Sequence, residues 1–339
     1  MFLSIIVPVY NIEQYIGRCL DSILQSCIED CEILLVTGNS SDKTNEICGE
    51  YQKNYPNIKV LRQSGTGLSN ARNCAFDAVS GTYIAYVDGD DYVDGVLFRE
   101  LIDMLRSTDE EIDLVMTDFR RITSDGKRVE KIYQIGNRTS PLKGIDFLAQ
   151  VIKKKQCFWN VWRFIYRRSF LEKNGIQFLE NSLSEDIDYT TRVLIANPKV
   201  IFIHCPFYYY NVGRGDSLMD IPTYKRLRDT VDVLCLSIGI VKDSSFLYSQ
   251  LLIGQYQFEY ILNMAITCEV AEKDRKMARR LYSDTLDILR VGTDRLPYFV
   301  RGLLYVVPFP LVAELLHILK LCKRFIKRGP QRIEIGGNR

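Results

Sequence analysis

The stretch GTYIAYVDGDD at residues 81–91 decides the fold of this chain. It runs from an apolar segment, Tyr83–Val87, directly into three aspartates. An apolar run without polar alternation is typical of a strand that is buried on both faces of a sheet. Such strands belong to parallel sheets covered by helices, so the stretch indicates an α/β fold with acidic residues at a strand end.

Three earlier segments are predicted strands, and each is followed by a helical pattern. The segments are the apolar runs 3–9 and 31–37 and the shorter segment 58–62, and the helical patterns begin near Ile12, Asp42 and Leu68. Alternating strands and helices predict a doubly wound, mostly parallel sheet. Right-handed crossovers bring the carboxyl ends of its strands to one edge, where ligands bind. We expect four residues to line that edge: Tyr10, Thr37, Gln63 and Asp88.

The composition is that of a globular protein of one large or two modest domains. The chain has 339 residues, of which 47% are hydrophobic and 25% charged. Its ten cysteines form no Cys-x-x-Cys pair, which argues against a zinc site or a disulfide framework and favours a reducing compartment. The net charge of +2 is uneven, because residues 320–339 carry seven basic side chains and one acidic one. This basic tail indicates contact with an anionic surface at one end and argues against nucleic-acid binding.

The aspartates at the end of the fourth run indicate a metal site. Asp88, Asp90 and Asp91 lie within four residues of one another. Carboxylates this close repel one another unless a cation offsets their charge. Their oxygen atoms suit Mg²⁺ or Mn²⁺, and such an ion can bridge a diphosphate. The alternative is a solvated turn after a strand, since Asp-Gly is a common turn pair.

Four motifs together resemble family-2 glycosyltransferases of the GT-A fold, the type that builds bacterial surface polysaccharides. The motifs are SIIVPVYN at 4–11, GLSNARN at 67–73, the stretch at 81–91, and SED at 184–186. Each is short, but their order and spacing are specific, and the resemblance covers about residues 2–218. It implies a GT-A domain over 1–218, with a nucleotide-binding half at about 1–120 and an acceptor half at about 121–218. A helical region over 219–295 and a tail over 296–339 complete the chain.

The resemblance also implies which residues hold the donor and the metal. Asp88 and Asp90 match the family's Asp-x-Asp element, with Asp90 as the expected direct ligand of Mn²⁺ or Mg²⁺. His204 is a further candidate near the metal, although a structural histidine is the simpler interpretation. The expected donor-binding residues are Pro8, Tyr10, Asn11, Ser40, Asn70, Arg72, Asp88 and Arg214. Arg72 would contact phosphate through its planar fork, and Arg214 would close over the diphosphate between flexible glycines.

By the same resemblance, Asp186 is the general base that takes the proton of the acceptor hydroxyl. Glu185 is expected to orient its loop or contact the acceptor. Apart from the resemblance, the rings of Trp159 and Trp162 suit either stacking on a sugar or filling the core. Ser184 can cap a helix that begins with the two carboxylates, so we expect the helix dipole to lower the pKa of Asp186. Acidic residues also occur at many helix starts without any catalytic role.

One segment departs from the family pattern. Family members usually read Val-Asp-Asp-Gly-Ser after the second strand, whereas this chain has Val36-Thr37-Gly38-Asn39-Ser40. Since the acidic residues contact the base, we expect weaker discrimination among nucleotides. The loss also supports an alternative, a catalytically impaired binding or scaffold protein in a membrane-bound polysaccharide assembly.

The last part of the chain predicts an amphipathic helix. Glu314, His317, Lys320, Arg324 and Lys327 share one face, and Leu311, Leu315, Ile318, Cys322 and Phe325 the other. A basic face opposite an apolar one is typical of helices that lie on anionic lipid. We therefore expect a cytoplasmic protein held peripherally on the inner face of the cell membrane. A helix packed on the protein itself or in a homodimer is the alternative.

The resulting functional hypothesis is a metal-dependent, inverting transfer of a hexosyl or N-acetylhexosaminyl group. The donor would be a nucleotide sugar, expected to be UDP-linked, and the acceptor a saccharide or lipid-linked hydroxyl. A nucleotidylyltransferase and a dinucleotide-dependent oxidoreductase fit less well, because no glycine-rich loop follows the first strand.

Overall fold

The computed structural model describes residues 1–123, 128–131, 141–153, 159–212, 222–243, 249–291 and 295–327. The chain divides into two compact units. The first comprises Met1–Asp220 with Gly239–Ser249, and the second comprises Ile221–Ile238 with Gln250–Arg339.

The first unit is built on one mixed sheet, which has ten strands within the described residues. The strands are β1 (Leu3–Val9), β2 (Cys31–Thr37), β3 (Ile58–Arg62), β4 (Tyr83–Tyr86), β5 (Tyr92–Val93), β6 (Leu114–Ile122), β7 (Arg128–Lys131), β8 (Leu142–Lys143), β9 (Phe164–Arg167) and β10 (Lys199–Asn211). Their order is β3-β2-β1-β4-β9-β6-β10-β5, with β7 beside β6 and β8 beside β10.

The parallel part of this sheet creates the edge on which the site is built. β3, β2, β1 and β4 are parallel neighbours, whereas β9 runs antiparallel to both β4 and β6. β1, β2 and β4 are buried along their whole length, as strands covered on both faces must be. The segments that follow these strands consequently meet at the same edge.

The helices of the first unit connect and cover the strands. They are α1 (Ile16–Leu24), α2 (Thr44–Asn54), α3 (Gly67–Phe76), α4 (Gly95–Ser107), α5 (Gly144–Lys153), α6 (Arg168–Lys173) and α7 (Glu185–Ile195). A short 3-10 turn occupies Val161–Arg163. In α4, Asp94 caps the start by accepting a hydrogen bond from the Leu97 amide at 3.2 Å. Its apolar stripe, Phe98, Leu101, Ile102 and Leu105, is buried.

The predicted mostly parallel α/β fold is confirmed, and three of its strands match the expected bounds. Sequence analysis did not anticipate β6 or the antiparallel β9, which separates the parallel strands β4 and β6. The pairing of β4 with β9 joins Tyr83 to Arg167, and no local pattern reveals a contact at that separation.

The second unit is helical in its described residues, as the pattern predicts. Most of α8 (Tyr224–Asp243) and α9 (Ser249–Met264) belong to it, followed by α10 (Glu272–Asp284), a 3-10 turn (Leu286–Arg290), α11 (Arg295–Val306) and α12 (Phe309–Lys327). Tyr256, Tyr260 and Tyr282 are fully buried in its core. The Tyr260 hydroxyl donates a hydrogen bond to the Tyr282 carbonyl at 2.9 Å, which ties α9 to α10.

Helix α12 turns an apolar face outward. Val312 and Ala313 are buried, and Glu269 lies 3.2 Å from His317 and 3.4 Å from Lys320. His317 and Lys320 were expected on a solvated polar face, but they contact this carboxylate. Several apolar side chains of α11 and α12 are instead 44–82% exposed: Phe299, Val306, Leu311, Leu315, Ile318 and Leu319. Within the described residues, none of the helices combines the length and the hydropathy needed to cross a bilayer.

A buried carboxylate fixes the opposite end of the parallel strands. Glu32, at the start of β2, accepts hydrogen bonds from the Ser4 hydroxyl (2.7 Å) and from the Ser80 amide (2.7 Å) and hydroxyl (2.6 Å). Its second oxygen accepts from Lys59 Nζ at 2.8 Å. Burial alone would raise the pKa of Glu32, but these hydrogen bonds outweigh it and lower the pKa to about 2.

We predict that Glu32→Gln lowers the free energy of unfolding at pH 7 by about 1–3 kcal/mol, because buried donors lose their acceptor. A pKa that is depressed in the folded state stabilises the protein above the unfolded pKa, near 4.5, and this stabilisation is lost as the pH falls towards 2. Urea unfolding at pH 7 and pH 3 measures both effects. The exposed Glu29→Gln serves as the control, and equal destabilisation in both variants would contradict the prediction.

Candidate active site

The loops that follow β1 and β2 are joined to each other at the carboxyl edge of the sheet. The Asn11 amide donates to Ser40 Oγ at 3.2 Å, and the Ser41 amide donates to Asn11 Oδ1 at 2.8 Å. Asn11 has a φ of 50°, in the left-handed region that asparagine adopts more readily than most residues. Two expected donor-binding residues thus shape this pair of loops. Pro8 is buried within β1, whereas Tyr10 is 61% exposed.

The segment that departs from the family pattern lies beside Tyr10. The Thr37 hydroxyl donates to the Leu61 carbonyl at 3.2 Å. A Cβ atom on Gly38 would lie 3.2 Å from Tyr10 Cδ2 and 3.4 Å from Gln63 Nε2. The Tyr10 ring and the Gln63 amide therefore border the space that a side chain at position 38 would enter. A larger residue at position 38 would displace one of them.

The aspartates after β4 form one cluster. One carboxylate oxygen from each of Asp88, Asp90 and Asp91 lies within 4.8 Å of the others. Asp91 is buried and accepts hydrogen bonds from the Tyr208 hydroxyl and the Asn211 amide, both at 2.8 Å. Burial, followed by the negative charges of Asp90 and Asp88, raises the pKa of Asp91 well above its usual range. The negative charges of Asp90 and Asp88 therefore act on a carboxyl group that has already lost its hydration.

These residues fit a divalent metal ion. They offer only carboxylate oxygens, the ligand type that Mg²⁺ and Mn²⁺ prefer. Asp88 and Asp90 are only partly buried, so a bound ion could also reach a ligand in the cleft. No other group of three potential ligands lies this close in the part of the chain that the structure describes.

Arg72 of α3 joins this cluster to the start of α7. Its Nη2 donates to Asp88 Oδ1 at 2.9 Å, and its Nη1 to Glu185 Oε1 and Asp186 Oδ1, each at 3.0 Å. Arg72 is only 1% exposed. From the sequence, this guanidinium was expected to contact a phosphate. In the structure its terminal nitrogens contact three carboxylates. Asp88 and Asp186 are therefore both hydrogen-bonded to the same guanidinium group.

Asp186 and Glu185 differ in exposure but share a raised pKa. The side chain of Asp186 is 23% exposed, whereas that of Glu185 is 8% exposed. Burial raises the pKa of both groups and outweighs Arg72, which lowers it. The expectation of a dipole-lowered pKa for Asp186 is therefore wrong. Ser184 stands at the cap position, but its side chain makes no capping hydrogen bond.

Aromatic rings support Arg72. Its guanidinium carbon lies 5.0 Å from the Phe178 ring centroid and 5.8 Å from that of Tyr86. Phe178 stacks on Tyr189 of α7 with centroids 3.9 Å apart, and the hydroxyls of Tyr86 and Tyr189 are 3.3 Å apart. The ion-pair network thus rests on rings that exclude water and strengthen its electrostatic interactions.

The two tryptophans occupy different environments. Trp162 is 3% exposed and stacks on Tyr208 with centroids 4.3 Å apart. Its ring therefore supports a tyrosine that contacts Asp91 and is not open to stack on a sugar, which corrects the expectation of sugar stacking in favour of the core-filling alternative. Trp159 is partly buried, and its carbonyl accepts a hydrogen bond from Thr190 at 2.7 Å.

His204 lies apart from the aspartate cluster. Its Nδ1 is 2.6 Å from Asp118 Oδ2, and neither residue belongs to the group of clustered ligands among the described residues. The contact joins β10 to β6, which suits the simpler interpretation of a structural histidine. Arg214, the expected lid residue, lies outside the described residues.

Sequence analysis missed Tyr208 and Asn211 as residues that shape the cluster. Tyr208 accepts a hydrogen bond from the Asp88 amide at 3.1 Å, and Asn211 Nδ2 donates to the Asp90 carbonyl at 2.5 Å. Both belong to β10, which pairs with β5 directly after the aspartates. The run of three tyrosines at 208–210 was a visible signal, but the pairing that brings it to the cluster was not.

Comparison with known proteins identifies the family. The model of glycosyl transferase family 2 matches residues 4–175. The glycosyltransferase EpsJ of Bacillus subtilis is 33% identical over 227 residues, which is 67% of this chain and 65% of that protein. The chain therefore spans just under two thirds of the length of this relative.

Two groups of solved structures share the fold. S. aureus TarS (residues 1–349) in complex with UDP-GlcNAc has a TM-score of 0.72 at 18% identity, over 95% of this chain and 92% of that one. The mannosyltransferase PcManGT of Pyrobaculum calidifontis, in complex with GDP-Man and Mn²⁺, has a TM-score of 0.53 at 14% identity, over 93% and 86%. By its family match this chain belongs to glycosyl transferase family 2, and its fold is of the GT-A type.

Proposed function

We propose that this protein transfers a hexosyl or N-acetylhexosaminyl group from a UDP-linked donor to a hydroxyl of a saccharide or lipid-linked acceptor. The transfer uses Mn²⁺ or Mg²⁺ and inverts the configuration at the anomeric carbon of the sugar. Its product contributes to a surface polysaccharide. The proposal depends on one observation. Arg72 contacts both Asp88, which belongs to the aspartate cluster, and Asp186, each at about 3 Å. An inverting displacement needs these two kinds of carboxylate on one cleft, one towards the departing diphosphate and the other towards the acceptor.

Asp88 and Asp90 would hold the metal ion, which supplies positive charge to the departing diphosphate. Asp91 would support the site from within the protein, because its two oxygens accept hydrogen bonds from Tyr208 and Asn211. Tyr10 is exposed at the same edge and offers a ring for the nucleoside. The UDP-GlcNAc bound by TarS supports a UDP-linked donor. The GDP-Man bound by PcManGT makes a GDP-linked donor the second one to test.

Asp186 is proposed to accept the proton of the acceptor hydroxyl. One of its oxygens is engaged by Arg72, and the side chain is 23% exposed, so the group can be approached from the cleft. The acceptor oxygen forms a bond to the sugar carbon while the bond from that carbon to the diphosphate breaks. The proton goes to Asp186, and the bonding pair leaves with the nucleoside diphosphate. A pKa raised by burial makes Asp186 a stronger base than an exposed aspartate.

The direct test is a donor panel of UDP-, GDP- and CDP-sugars, assayed for nucleotide release with Mn²⁺. We expect turnover with UDP-sugars that EDTA abolishes and added Mn²⁺ restores. Thr37 and Gly38 replace the acidic pair that contacts the base in the family. The preference for UDP-sugars over GDP- and CDP-sugars should therefore stay below about 100-fold, which is the discrimination that one or two weak contacts provide. Metal-dependent nucleotide binding without turnover on any donor would favour the scaffold alternative.

We predict that Asp186→Asn lowers kcat by about 10²-fold or more, because the isosteric amide cannot accept the proton. Binding of UDP with Mn²⁺ should be retained, since the substitution leaves Asp88 and Asp90 unchanged. Initial rates and calorimetric titration with UDP measure the two effects. The exposed Asp21→Asn on α1 is the control. Turnover of Asp186→Asn close to that of the control would reject Asp186 as the base.

We further propose that α11 and α12 attach the protein to the cytoplasmic face of the membrane. Their six exposed apolar side chains, from Phe299 to Leu319, are followed by the basic residues of the tail. Apolar side chains next to lysine and arginine complement a bilayer that carries anionic lipid. Attachment of this kind would bring a lipid-linked acceptor to the enzyme.

We predict that Leu315→Glu with Ile318→Glu abolishes cosedimentation with vesicles that contain phosphatidylglycerol. A charged group on this face opposes burial in lipid and repels the anionic surface. Leu236→Glu, which changes a leucine of α8 that is 45% exposed, is the matched control. Light scattering tests the homodimer alternative. Loss of a dimer in the double variant with unchanged vesicle binding would show that this face of α12 forms a dimer and would refute its role in membrane attachment.

A further inference from the structure

The segment that carries the candidate base is held by α3 at several points. The first is Asn73, whose side chain makes two reciprocal hydrogen bonds with the backbone of Phe178. The Phe178 amide donates to Asn73 Oδ1 at 2.8 Å, and Asn73 Nδ2 donates to the Phe178 carbonyl at 2.9 Å. An asparagine that pairs with a backbone unit in this way fixes the position of that unit, as a neighbouring strand would.

The second point is Asn70, which also reaches the donor edge. Its Nδ2 donates to Glu180 Oε1 at 3.0 Å, while its Oδ1 accepts from the Gly65 amide at 2.7 Å. Gly65 belongs to the loop that follows β3. A Cβ at Gly65 would lie 2.9 Å from Asn70 Nδ2, so glycine allows this close approach. Asn70 was expected to contact the nucleotide, but both ends of its amide are occupied within the protein.

The third point is Arg72, whose two terminal nitrogens contact Asp88, Glu185 and Asp186. The planar guanidinium presents its donors in a fixed geometry, so it sets the separation between Asp88 and Asp186. Glu185 shares Nη1 with Asp186 but is only 6% exposed. An acceptor therefore has little access to Glu185, whereas Arg72 donates a hydrogen bond to it.

The charges explain why Glu185 is needed. A buried arginine is stable only when carboxylates compensate its charge. Asp88 and Asp186 are both partly exposed, and the proposed reaction engages each of them, one with metal and the other with a proton. Glu185 is the partner of Arg72 that takes no part in either step. It can hold the guanidinium in place throughout the reaction.

We propose that Arg72 and Glu185 are positioning residues that fix the carboxylate of Asp186 relative to Asp88, with Asn70 and Asn73 fixing the segment behind it. This inference rests on the proposed function. It differs from the expectation drawn from the sequence, in which Arg72 binds a donor phosphate. A positioning role predicts a lower kcat with donor binding retained, whereas a phosphate contact predicts weaker donor binding.

The test uses Arg72→Lys and Glu185→Gln in the full chain. Lysine keeps the charge but loses the planar fork, and glutamine keeps the volume but loses the charge that holds Arg72. We expect kcat to fall by about 10²-fold, the effect of misplacing a reacting group by about 1 Å. The donor KM and the calorimetric affinity for UDP with Mn²⁺ should change by less than about threefold.

The matched control is Arg167→Met, which removes an arginine that contacts Glu111 at 3.2 Å and Asp113 at 3.7 Å, away from the cleft. Circular dichroism and thermal unfolding establish that each variant is folded. If Arg72→Lys does not fold, the near-isosteric Glu185→Gln decides the question alone.

Two results would overturn the inference. One is a kcat for Glu185→Gln equal to that of Arg167→Met, and the other is a donor KM raised tenfold or more at unchanged kcat in Arg72→Lys. The unmodified chain is assayed in parallel. Its failure to turn over any donor would reject the proposed function itself, whereas normal turnover with unaffected variants would reject only the positioning role.

Discussion

The architecture of the site depends on one buried guanidinium. Arg72 is 1% exposed, and its terminal nitrogens contact carboxylates that follow β4 and begin α7. An arginine without such partners could not be buried at this point, and removal of one partner would leave charge uncompensated. The sheet edge, α3 and α7 therefore have to meet in a single arrangement. The apolar strands and the Tyr86–Phe178–Tyr189 rings make that arrangement rigid.

The same burial determines the chemistry that the carboxylates can perform. A helix start in water favours an ionised aspartate and lowers its pKa. At Asp186, however, the loss of hydration and the nearby Asp88 raise the pKa, and Arg72 compensates only in part. Asp186 therefore binds a proton more strongly than an exposed aspartate does. This balance suits a base that must accept a proton as the acceptor hydroxyl reacts.

Sequence patterns predicted the parts of the molecule that local chemistry determines. β1, β2 and β3 begin and end at the expected residues, and β1 and β2 do so because strands buried on both faces are continuous apolar runs. The antiparallel β9 could not be predicted, since its pairing depends on a distant segment. The same holds for Arg72 and Glu185, which are 113 residues apart in sequence. The motifs indicated Arg72 and the acidic residues at 88, 90 and 186, but not that Arg72 joins two of these carboxylates. The burial of Trp162 is likewise a consequence of packing.

The altered segment at Thr37 and Gly38 is compatible with an active enzyme. The Thr37 hydroxyl is engaged by the Leu61 carbonyl, and Gly38 leaves room for the Tyr10 ring and the Gln63 amide. This part of the edge therefore presents an aromatic ring and an amide where the family usually presents carboxylates. Stacking on a ring depends little on the identity of the base, because every base has a π face. A donor bound here would be held mainly through its diphosphate, close to Asp88 and Asp90. The residues at Thr37 and Gly38 would then relax specificity for the nucleotide base, while Asp88 and Asp90, the proposed metal ligands, are retained.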